Sequence, residues 1–298
     1  MLGLVRGLLK DPRALDPEAR DLRRRLDDFY ASSKEYGAFV EPTDNSAYYA
    51  KLRPYIDRAI ARHGRARVLE LGAGRSRFGT FRRASGASSR ASAGGGAASD
   101  ARAGGVEYTA QDVTPQNRAH LEAEADRVHI GDVSGLEGPF DVVFSTYVFE
   151  HVTNPSEFLS EVSRLLAPGG AHVLFCPNYE LPGYLCPSLR HLGRVERAAA
   201  MLFFAGSRVR ARLDGAPRFW VNADPALFHV RWYRDADAVH VVSRHDVVAW
   251  HRARGFTVER LRPRPPEPPR APRELRRYAI EREITLMLAC VKPDAAPR

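Results

Sequence analysis

A carboxylate stands directly before a turn of small residues in the segment VLELGAGRSRFG, residues 68–79. Glu70 is separated by one leucine from the Gly-Ala-Gly sequence at 72–74. Small side chains let the backbone come close to a ligand, and a helix that starts after such a turn offers unpaired N–H groups. The dinucleotide pattern GxGxxG would need its third glycine at Arg77. An acid beside the turn therefore suits a ligand that carries positive charge better than a pyrophosphate.

Two further acids follow predicted strands. Asp112 closes the strand VEYTAQDV (106–113), and Asp132 closes the strand RVHIGDV (127–133). A third strand, FDVVFSTYV (140–148), has a continuous apolar centre, as parallel strands covered on both faces do. In a doubly wound sheet, ligands bind beyond the carboxyl ends of the strands. We therefore expect these acids and the turn after Glu70 to meet at one edge of a sheet.

The predicted secondary structure around these acids and the glycine turn alternates between helix and strand. Apolar residues between 48 and 60 have helical spacing, Gly64 ends this helix, and a strand follows at 67–71. Another helix is predicted to start after Asn154, the expected N-cap, with Pro155 at its first position and Glu157 completing a capping box. The Pro-Gly-Gly sequence at 168–170 is expected to end this helix. The pattern predicts an α/β fold with a doubly wound, mostly parallel sheet of seven strands.

The chain divides by composition into four parts. Residues 1–64 form a helical segment and residues 65–178 form the main α/β core. Within the core, residues 84–105 form a low-complexity sequence with almost no large apolar side chains. We therefore expect a disordered surface insertion there. Residues 179–240 are too apolar for a plain connection and predict a cap over one end of the sheet. Residues 241–298 supply a helix and two strands that complete the core.

Bulk composition restricts the class of protein. Cys176, Cys186 and Cys290 are an odd number without metal-binding spacing, which suits a reducing cytoplasm and no metal site. No apolar run is long enough for a membrane span. The net charge is +9, and arginine supplies nearly all of the positive charge. A compositional bias toward arginine explains this charge better than an anionic partner does, although both interpretations remain open.

Five motifs in order resemble the class I S-adenosylmethionine-dependent methyltransferases. They are VLELGAG, the acid closing the second strand, IGDV, FDVVFSTYVFEHV and LLAPGG. The closest resemblance is to the small-molecule branch of type 11 and 12 methyltransferases, over roughly residues 65–178 and the C-terminal portion. It implies a Rossmann-like methyltransferase fold with an inserted cap, and S-adenosylmethionine as cofactor.

The resemblance also implies roles for individual residues. Glu70 would serve the methionine amino end, Asp112 both ribose hydroxyls and Asp132 the adenine amine. The backbone at Val133 would read the adenine ring edge. The full set of implied cofactor-binding residues is Glu70, Gly72, Ala73, Gly74, Asp112, Val113, Asp132, Val133, Ser145 and Thr146. Two features depart from the family pattern: Ser76 replaces a common glycine, and the 84–105 insertion is unusually long.

Two histidines are candidates for a catalytic base. His151 could brace Glu150 and the end of the strand, or it could deprotonate a hydroxyl nucleophile, because histidine titrates near neutrality. The bracing role is preferred. His229, in the aromatic cap segment, is a second candidate.

The resemblance implies methyl transfer to a hydroxyl or amine of a small molecule, such as a sugar or secondary metabolite. Methylators of nucleic-acid bases carry an Asn/Asp-Pro-Pro-aromatic tetrad where this chain has Ser-Thr-Tyr-Val at 145–148. Methylation of RNA is therefore a weaker alternative. A catalytically silent cofactor-binding homologue is a third possibility, compatible with Ser76 and the insertion.

Overall fold

The computed structural model describes residues 7–13, 15–32, 45–91, 105–181, 183–229, 235–262 and 283–294. Its strands are β1 (Leu8–Lys10), β2 (Ala66–Leu71), β3 (Val106–Asp112), β4 (Arg127–Ile130), β5 (Phe140–Thr146), β6 (Leu166–Pro177), β7 (Trp220–Asn222), β8 (Thr257–Arg260) and β9 (Thr285–Val291). Its α-helices are α1 (Pro17–Ser32), α2 (Ser46–His63), α3 (Phe78–Ala91), α4 (Arg118–Glu124), α5 (Pro155–Leu165), α6 (Arg194–Asp214) and α7 (Arg244–Arg252).

Seven of these strands form one mostly parallel sheet in the order β4-β3-β2-β5-β6-β9-β8. Strand β2 lies parallel to both β3 and β5, and β3 lies parallel to β4. Glu70 on β2 is in register with Ala110 on β3 and Phe144 on β5. The predicted doubly wound, seven-stranded sheet is confirmed.

The chain also divides into two compact units. The turn unit comprises residues 29–146, 161–173 and 290–298, and the cap unit comprises residues 1–28, 147–160 and 174–289. This division cuts across the four parts predicted from composition. The boundaries at 64, 178 and 240 stay predictions.

The turn unit has an aromatic core behind the tip of β2. Phe78, the first residue of α3, packs edge-on against Tyr108 and Phe144 with ring centroids 4.9 and 5.1 Å away. Tyr49 of α2 packs against the same group, 5.3 Å from Phe78. Each of these rings is at most 2% exposed. Edge-to-face aromatic packing adds to the stabilisation that burial provides, so this core fixes the strand tips in front of it.

Two helix signals in the sequence act as predicted. Gly64 ends α2 with φ +71°, a left-handed conformation that glycine adopts readily, and its N–H donates to the carbonyl of Ile60 at 2.7 Å. Helix α5 begins at Pro155, as expected for proline at the first helical position.

The cap unit has its own buried core and a short second sheet. Strands β1 and β7 pair antiparallel, with Leu8 opposite Asn222. Phe149 and Phe219 pack edge-on at 6.2 Å, and both are fully buried. The segment predicted as a cap therefore contains regular structure, including α6, which the sequence patterns did not predict.

Two predicted boundaries differ from the structure. The 84–105 insertion was expected to be irregular, but α3 continues to Ala91, and 92–104 lie outside the described residues. Extending an existing helix needs no new nucleus, and alanine and arginine favour it. The Pro-Gly-Gly sequence at 168–170, expected to separate helix from strand, already belongs to β6.

Candidate active site

The turn after β2 is hydrogen-bonded to the end of β3. Gly72 and Gly74 have φ of +60° and +55°, which side chains other than glycine rarely adopt. The Gly74 N–H donates to Oδ2 of Asp112 at 2.6 Å, and the Ala73 N–H donates to the carbonyl of Gln111 at 2.8 Å. The structure thus brings together the small-residue turn and the acid that the sequence assigned to one site.

Gln111 connects three strand tips and was missed by sequence reasoning. Its Oε1 accepts from the Gly72 N–H at 3.0 Å, and its Nε2 donates to the carbonyl of Gly131 at 2.7 Å. The side chain is only 2% exposed. Because buried amides require partners, this glutamine fixes the spacing between the ends of β2, β3 and β4. Its position directly before Asp112, at the carboxyl end of a strand, was the available signal.

Asp112 is a buried carboxylate that supports two stretches of backbone. It is 4% exposed, and its Oδ1 accepts from the Thr114 N–H at 2.6 Å while Oδ2 is bound to Gly74. Burial raises the pKa of Asp112, and the backbone hydrogen bonds from Thr114 and Gly74 oppose that rise. An ionised carboxyl group has about four acceptor positions, and the two backbone N–H groups occupy two of them.

Glu70 lies in a cluster of hydroxyl groups rather than beside an arginine. Its Oε2 accepts from the Ser76 hydroxyl at 2.7 Å and from the Tyr108 hydroxyl at 2.6 Å. The Tyr49 hydroxyl lies 2.9 Å from Ser76 Oγ. Glu70 is 3% exposed, and burial raises its pKa to about 7. Ser76, the departure from the glycine pattern, therefore supplies a donor to the carboxyl of Glu70.

Asp132 and Val133 lie in the turn that follows β4. Oδ1 of Asp132 accepts from the Ser134 N–H at 2.9 Å, and Asp132 is exposed. This bond is the turn-forming contact expected of a strand-end acid. Val113, next to Asp112, is 39% exposed. The assignment of Asp132, Val133 and Val113 to the cofactor stays a prediction.

Two hydroxyl groups at the end of β5 have properties expected of ligand-binding atoms. Ser145 is fully buried and is in register with Leu71 at the end of β2. Within the described part of the chain, neither Ser145 Oγ nor Thr146 Oγ1 has a hydrogen-bond partner, although both atoms are buried. Buried polar atoms without partners are costly, and a polar ligand at the strand ends would satisfy them. The residues at this edge therefore fit the expected cofactor.

His151, in the cap unit, forms an ion pair. Its Nδ1 lies 3.0 Å from Oδ2 of Asp237. Burial lowers the pKa of His151, but Asp237, Glu150 and Asp235 together raise it, to about 10. A general base must be unprotonated, whereas this imidazole keeps its proton at neutral pH. The observed partner of His151 is Asp237, and the bracing and catalytic roles of His151 both stay predictions.

Glu150, the neighbour of His151, and His229, the second candidate base, also lie in the cap unit. Glu150 is 3% exposed, burial raises its pKa to about 7, and its carbonyl accepts from the His240 N–H at 2.8 Å. His229 ends a short 3-10 segment, Pro225–His229, and its side chain lies outside the described residues. Its catalytic role stays a prediction.

The described ranges contain neither a metal-binding cluster nor a membrane-spanning helix. No group of three histidine, cysteine or acidic side chains there could hold a metal ion. Among the helices of those ranges, none is both long and apolar enough to cross a bilayer.

Comparisons with known proteins give one extensive match and several partial ones. A family model described as a methyltransferase domain matches residues 44–261. The ubiquinone biosynthesis O-methyltransferase of Caulobacter sp. (strain K31) is 50% identical over 44 residues, which are 15% of this chain and 18% of that protein. This chain therefore aligns with its curated relatives over less than a fifth of their length.

Similar solved structures cover most of the chain at low identity. The 1,6-didemethyltoxoflavin-N1-methyltransferase of Burkholderia thailandensis, solved with its substrate and S-adenosylhomocysteine, is 17% identical with a TM-score of 0.47, covering 96% of this chain and 95% of that one. An S-adenosylmethionine-dependent methyltransferase from Mesorhizobium loti is 19% identical with a TM-score of 0.45, covering 84% and 99%.

The family match spans most of the chain, including the glycine turn, Asp112, the β5 end and His151. It agrees with the five motifs in the sequence and with the observed strand order. The chain belongs to the methyltransferase domain family.

Proposed function

We propose that this protein is an S-adenosylmethionine-dependent methyltransferase that methylates a hydroxyl or amine of a small molecule. Family membership supports the reaction class. The local similarity to an O-methyltransferase of ubiquinone biosynthesis supports a hydroxyl acceptor. The three buried, unpaired cysteines support a cytoplasmic location, where thiols stay reduced.

The bonding between Asp112 and the glycine turn carries the proposal. A single carboxylate holds the Gly74 N–H and still has acceptor positions for a pair of ribose hydroxyls. The turn that it fixes has no side chain at Gly72 or Gly74, so a ligand can approach the backbone there. Ser145 and Thr146 offer hydroxyls for the methionine part of the same cofactor.

The protein's contribution to such a reaction is mainly alignment. When bound, S-adenosylmethionine would supply an electrophilic methyl group: the acceptor atom attacks the methyl carbon, the S–CH3 bond breaks, and its electron pair leaves with the sulfur of S-adenosylhomocysteine. Holding two reactants in line can lower a barrier by roughly 7 to 11 kcal/mol in favourable cases. Asp112 and Gln111 keep the strand tips at a fixed separation, and His151 is held in an ion pair with Asp237.

A release assay for S-adenosylhomocysteine tests the function directly. The protein is incubated with S-adenosylmethionine and a panel of sugars, phenols and amines, with an RNA pool as a separate arm. We expect acceptor-dependent release in the small-molecule arm that is lost in Asp112→Ala. Release only with RNA would replace the small-molecule proposal. Cofactor binding without release in any arm would favour a silent homologue, and no binding of S-adenosylhomocysteine would refute the cofactor assignment.

Gln111 should affect cofactor affinity without contacting the cofactor. In Gln111→Leu, the Gly72 N–H and the Gly131 carbonyl lose their buried partner, at a cost of about 1 to 2 kcal/mol. We expect calorimetric titration with S-adenosylhomocysteine to give roughly 5- to 30-fold weaker binding, with a lower melting temperature.

Gln116→Leu is the matched control, because Gln116 is exposed in the same unit. This control should bind S-adenosylhomocysteine as the native chain does. Equal affinity of both variants would show that Gln111 does not position the turn.

A further inference from the structure

Helix α6 of the cap unit has two apolar faces. Ala200, Phe204 and Ala211 face the interior and are at most 5% exposed. Its other large aliphatic residues are exposed at spacings of seven, seven and four: Val195 (73%), Leu202 (68%), Val209 (55%) and Leu213 (83%). At 3.6 residues per turn, such spacings keep side chains on one side of a helix. These four residues are called the α6 stripe, and their helical positions lie opposite the buried face.

The charges beside the α6 stripe are cationic. The helix carries five arginines and two acids. Glu196 lies at the start of the helix, where its carboxylate accepts from the Gly193 N–H at 2.8 Å. Asp214 is paired with Arg218. The five arginines of α6 therefore outnumber the acidic side chains of the same helix.

Arg194 and Arg210 are the clearest of these cations. Both are exposed, and neither has an acidic partner among the residues that the structure describes. By helical geometry Arg194 and Arg210 lie on opposite flanks of the stripe. Arginine can extend its charged head outward while its aliphatic stem covers apolar surface. At the surface of an anionic bilayer, lipid phosphates lie above the acyl chains. An apolar stripe can contact the acyl chains while the cationic groups at its flanks contact the phosphates.

A second copy of this chain fits the α6 stripe poorly. In a pair of α6 helices, parallel or antiparallel, the flanks that meet both carry arginines, and like charges across such an interface are destabilising. The stripe is also purely aliphatic. Protein interfaces concentrate binding energy in aromatic and arginine anchors seated in pockets, and the aromatic Phe204 faces the other way. Insertion among acyl chains needs no shape-matched pocket.

We propose that the outer face of α6 binds the surface of an anionic phospholipid bilayer. The α6 stripe enters the boundary between headgroups and acyl chains, and Arg194 and Arg210 contact lipid phosphates. This would place the catalytic domain at a membrane surface through an interfacial helix. The inference is independent of the identity of the methyl acceptor.

Vesicle flotation with the full chain tests the proposal. Vesicles of phosphatidylcholine with about one third phosphatidylglycerol are compared with phosphatidylcholine alone, at about 50 mM and about 500 mM NaCl. We expect flotation with the anionic vesicles, weaker at high salt. Leu202→Glu with Val209→Glu should lower the partition coefficient at least roughly tenfold. Arg194→Gln with Arg210→Gln should lower it by roughly fivefold for each arginine.

Matched controls use exposed residues of the cap unit that are not part of α6. Leu15 is 80% exposed, and Arg252 is exposed on α7. Leu15→Glu and Arg252→Gln should float as the native chain does. Thermal denaturation and S-adenosylhomocysteine binding confirm that each variant is folded.

Three results would overturn the proposal. One is no preference for the anionic vesicles at low salt. Another is flotation that the α6 variants leave unchanged, which would locate the lipid contact elsewhere. The third is a dimer in sedimentation that the glutamate variants dissociate, without vesicle binding, which would make the α6 stripe a contact between copies.

Discussion

Replacing Asp112 with alanine is expected to weaken binding of S-adenosylhomocysteine by roughly 10- to 150-fold. The estimate corresponds to about 1.5 to 3 kcal/mol, the range for hydrogen bonds to a charged group. Two effects act together. The variant loses the acceptor proposed for the ribose hydroxyls, and the Gly74 and Thr114 N–H groups lose the oxygens that hold them. Calorimetric titration measures the affinity.

Asp112→Asn separates these two effects. An asparagine keeps one acceptor oxygen but presents an NH₂ group in place of the other, so either Gly74 or Thr114 faces a donor instead of an acceptor. We expect a loss of affinity close to that of the alanine variant, with a smaller drop in melting temperature. A calorimetric titration of both variants gives the comparison.

Asp141 provides the matched control. It is also a buried acid on a strand of the same sheet, 6% exposed, and its Oδ2 accepts from the Arg67 N–H at 2.7 Å. It lies near the start of β5, however, whereas Asp112 lies at the end of β3. Asp141→Ala should therefore destabilise the fold and leave cofactor affinity within a factor of about two. Equal losses of affinity in both variants would show that the Asp112 effect is only loss of stability.

The sequence predicted the sheet and its functional edge because the signals there are local. A continuous apolar run identifies each strand, and the residue that follows it is at the strand end by definition. Asp112 and Ser145 could therefore be placed at one edge before any contact was known. Gly64 and Pro155 likewise end and begin helices through their own backbone preferences.

The bonds that fix the site could not be predicted in the same way. Gln111 meets Gly131 twenty residues away, and Glu70 meets Tyr108 across the sheet. No spacing rule links such pairs, because the packing of separate strands brings them together. In the sequence, Ser76 stands out only as a departure from the glycine pattern of the family. Its bond to Glu70 depends on the path of the turn, which a composition argument does not contain.

Helix α6 was missed for a different reason. Its sequence, RVERAAAMLFFAGSRVRARLD, has apolar residues on two sides, so the single-faced pattern of an ordinary surface helix is blurred. The pairing of β1 with β7 joins segments about two hundred residues apart. Both features lie in parts of the cap unit outside the five motifs of the family.

Replacing Glu70 with glutamine is expected to change how stability depends on pH. Burial raises the pKa of Glu70 from 4.5 to about 7 in the folded chain. Above pH 4.5 the unfolded chain releases this proton, whereas the folded chain retains it until about pH 7. The folded state thus binds more protons in this window, so stability falls as pH rises through it and levels off above. Glutamine has no proton to release.

The size of the effect follows from the two pKa values. Between pH 5 and pH 8, the native chain should lose about 2 to 3 kcal/mol of unfolding free energy relative to Glu70→Gln. Urea denaturation at several pH values measures this difference. The glutamine carbonyl can still accept from the Ser76 and Tyr108 hydroxyls, so the variant should fold. Parallel curves for the two proteins over this range would mean that Glu70 ionises normally.

Tyr108→Phe tests the cause of the Glu70 pKa. Its hydroxyl donates to Glu70 Oε2, and this bond favours the ionised carboxylate, opposing the larger effect of burial. Without it the pKa of Glu70 should rise further, and the fall in stability should move to higher pH. The double variant Glu70→Gln, Tyr108→Phe should show no such shift relative to Glu70→Gln. A shift that persists in the double variant would assign it to some group other than Glu70, because only a titrating carboxyl at position 70 can respond to the missing hydroxyl.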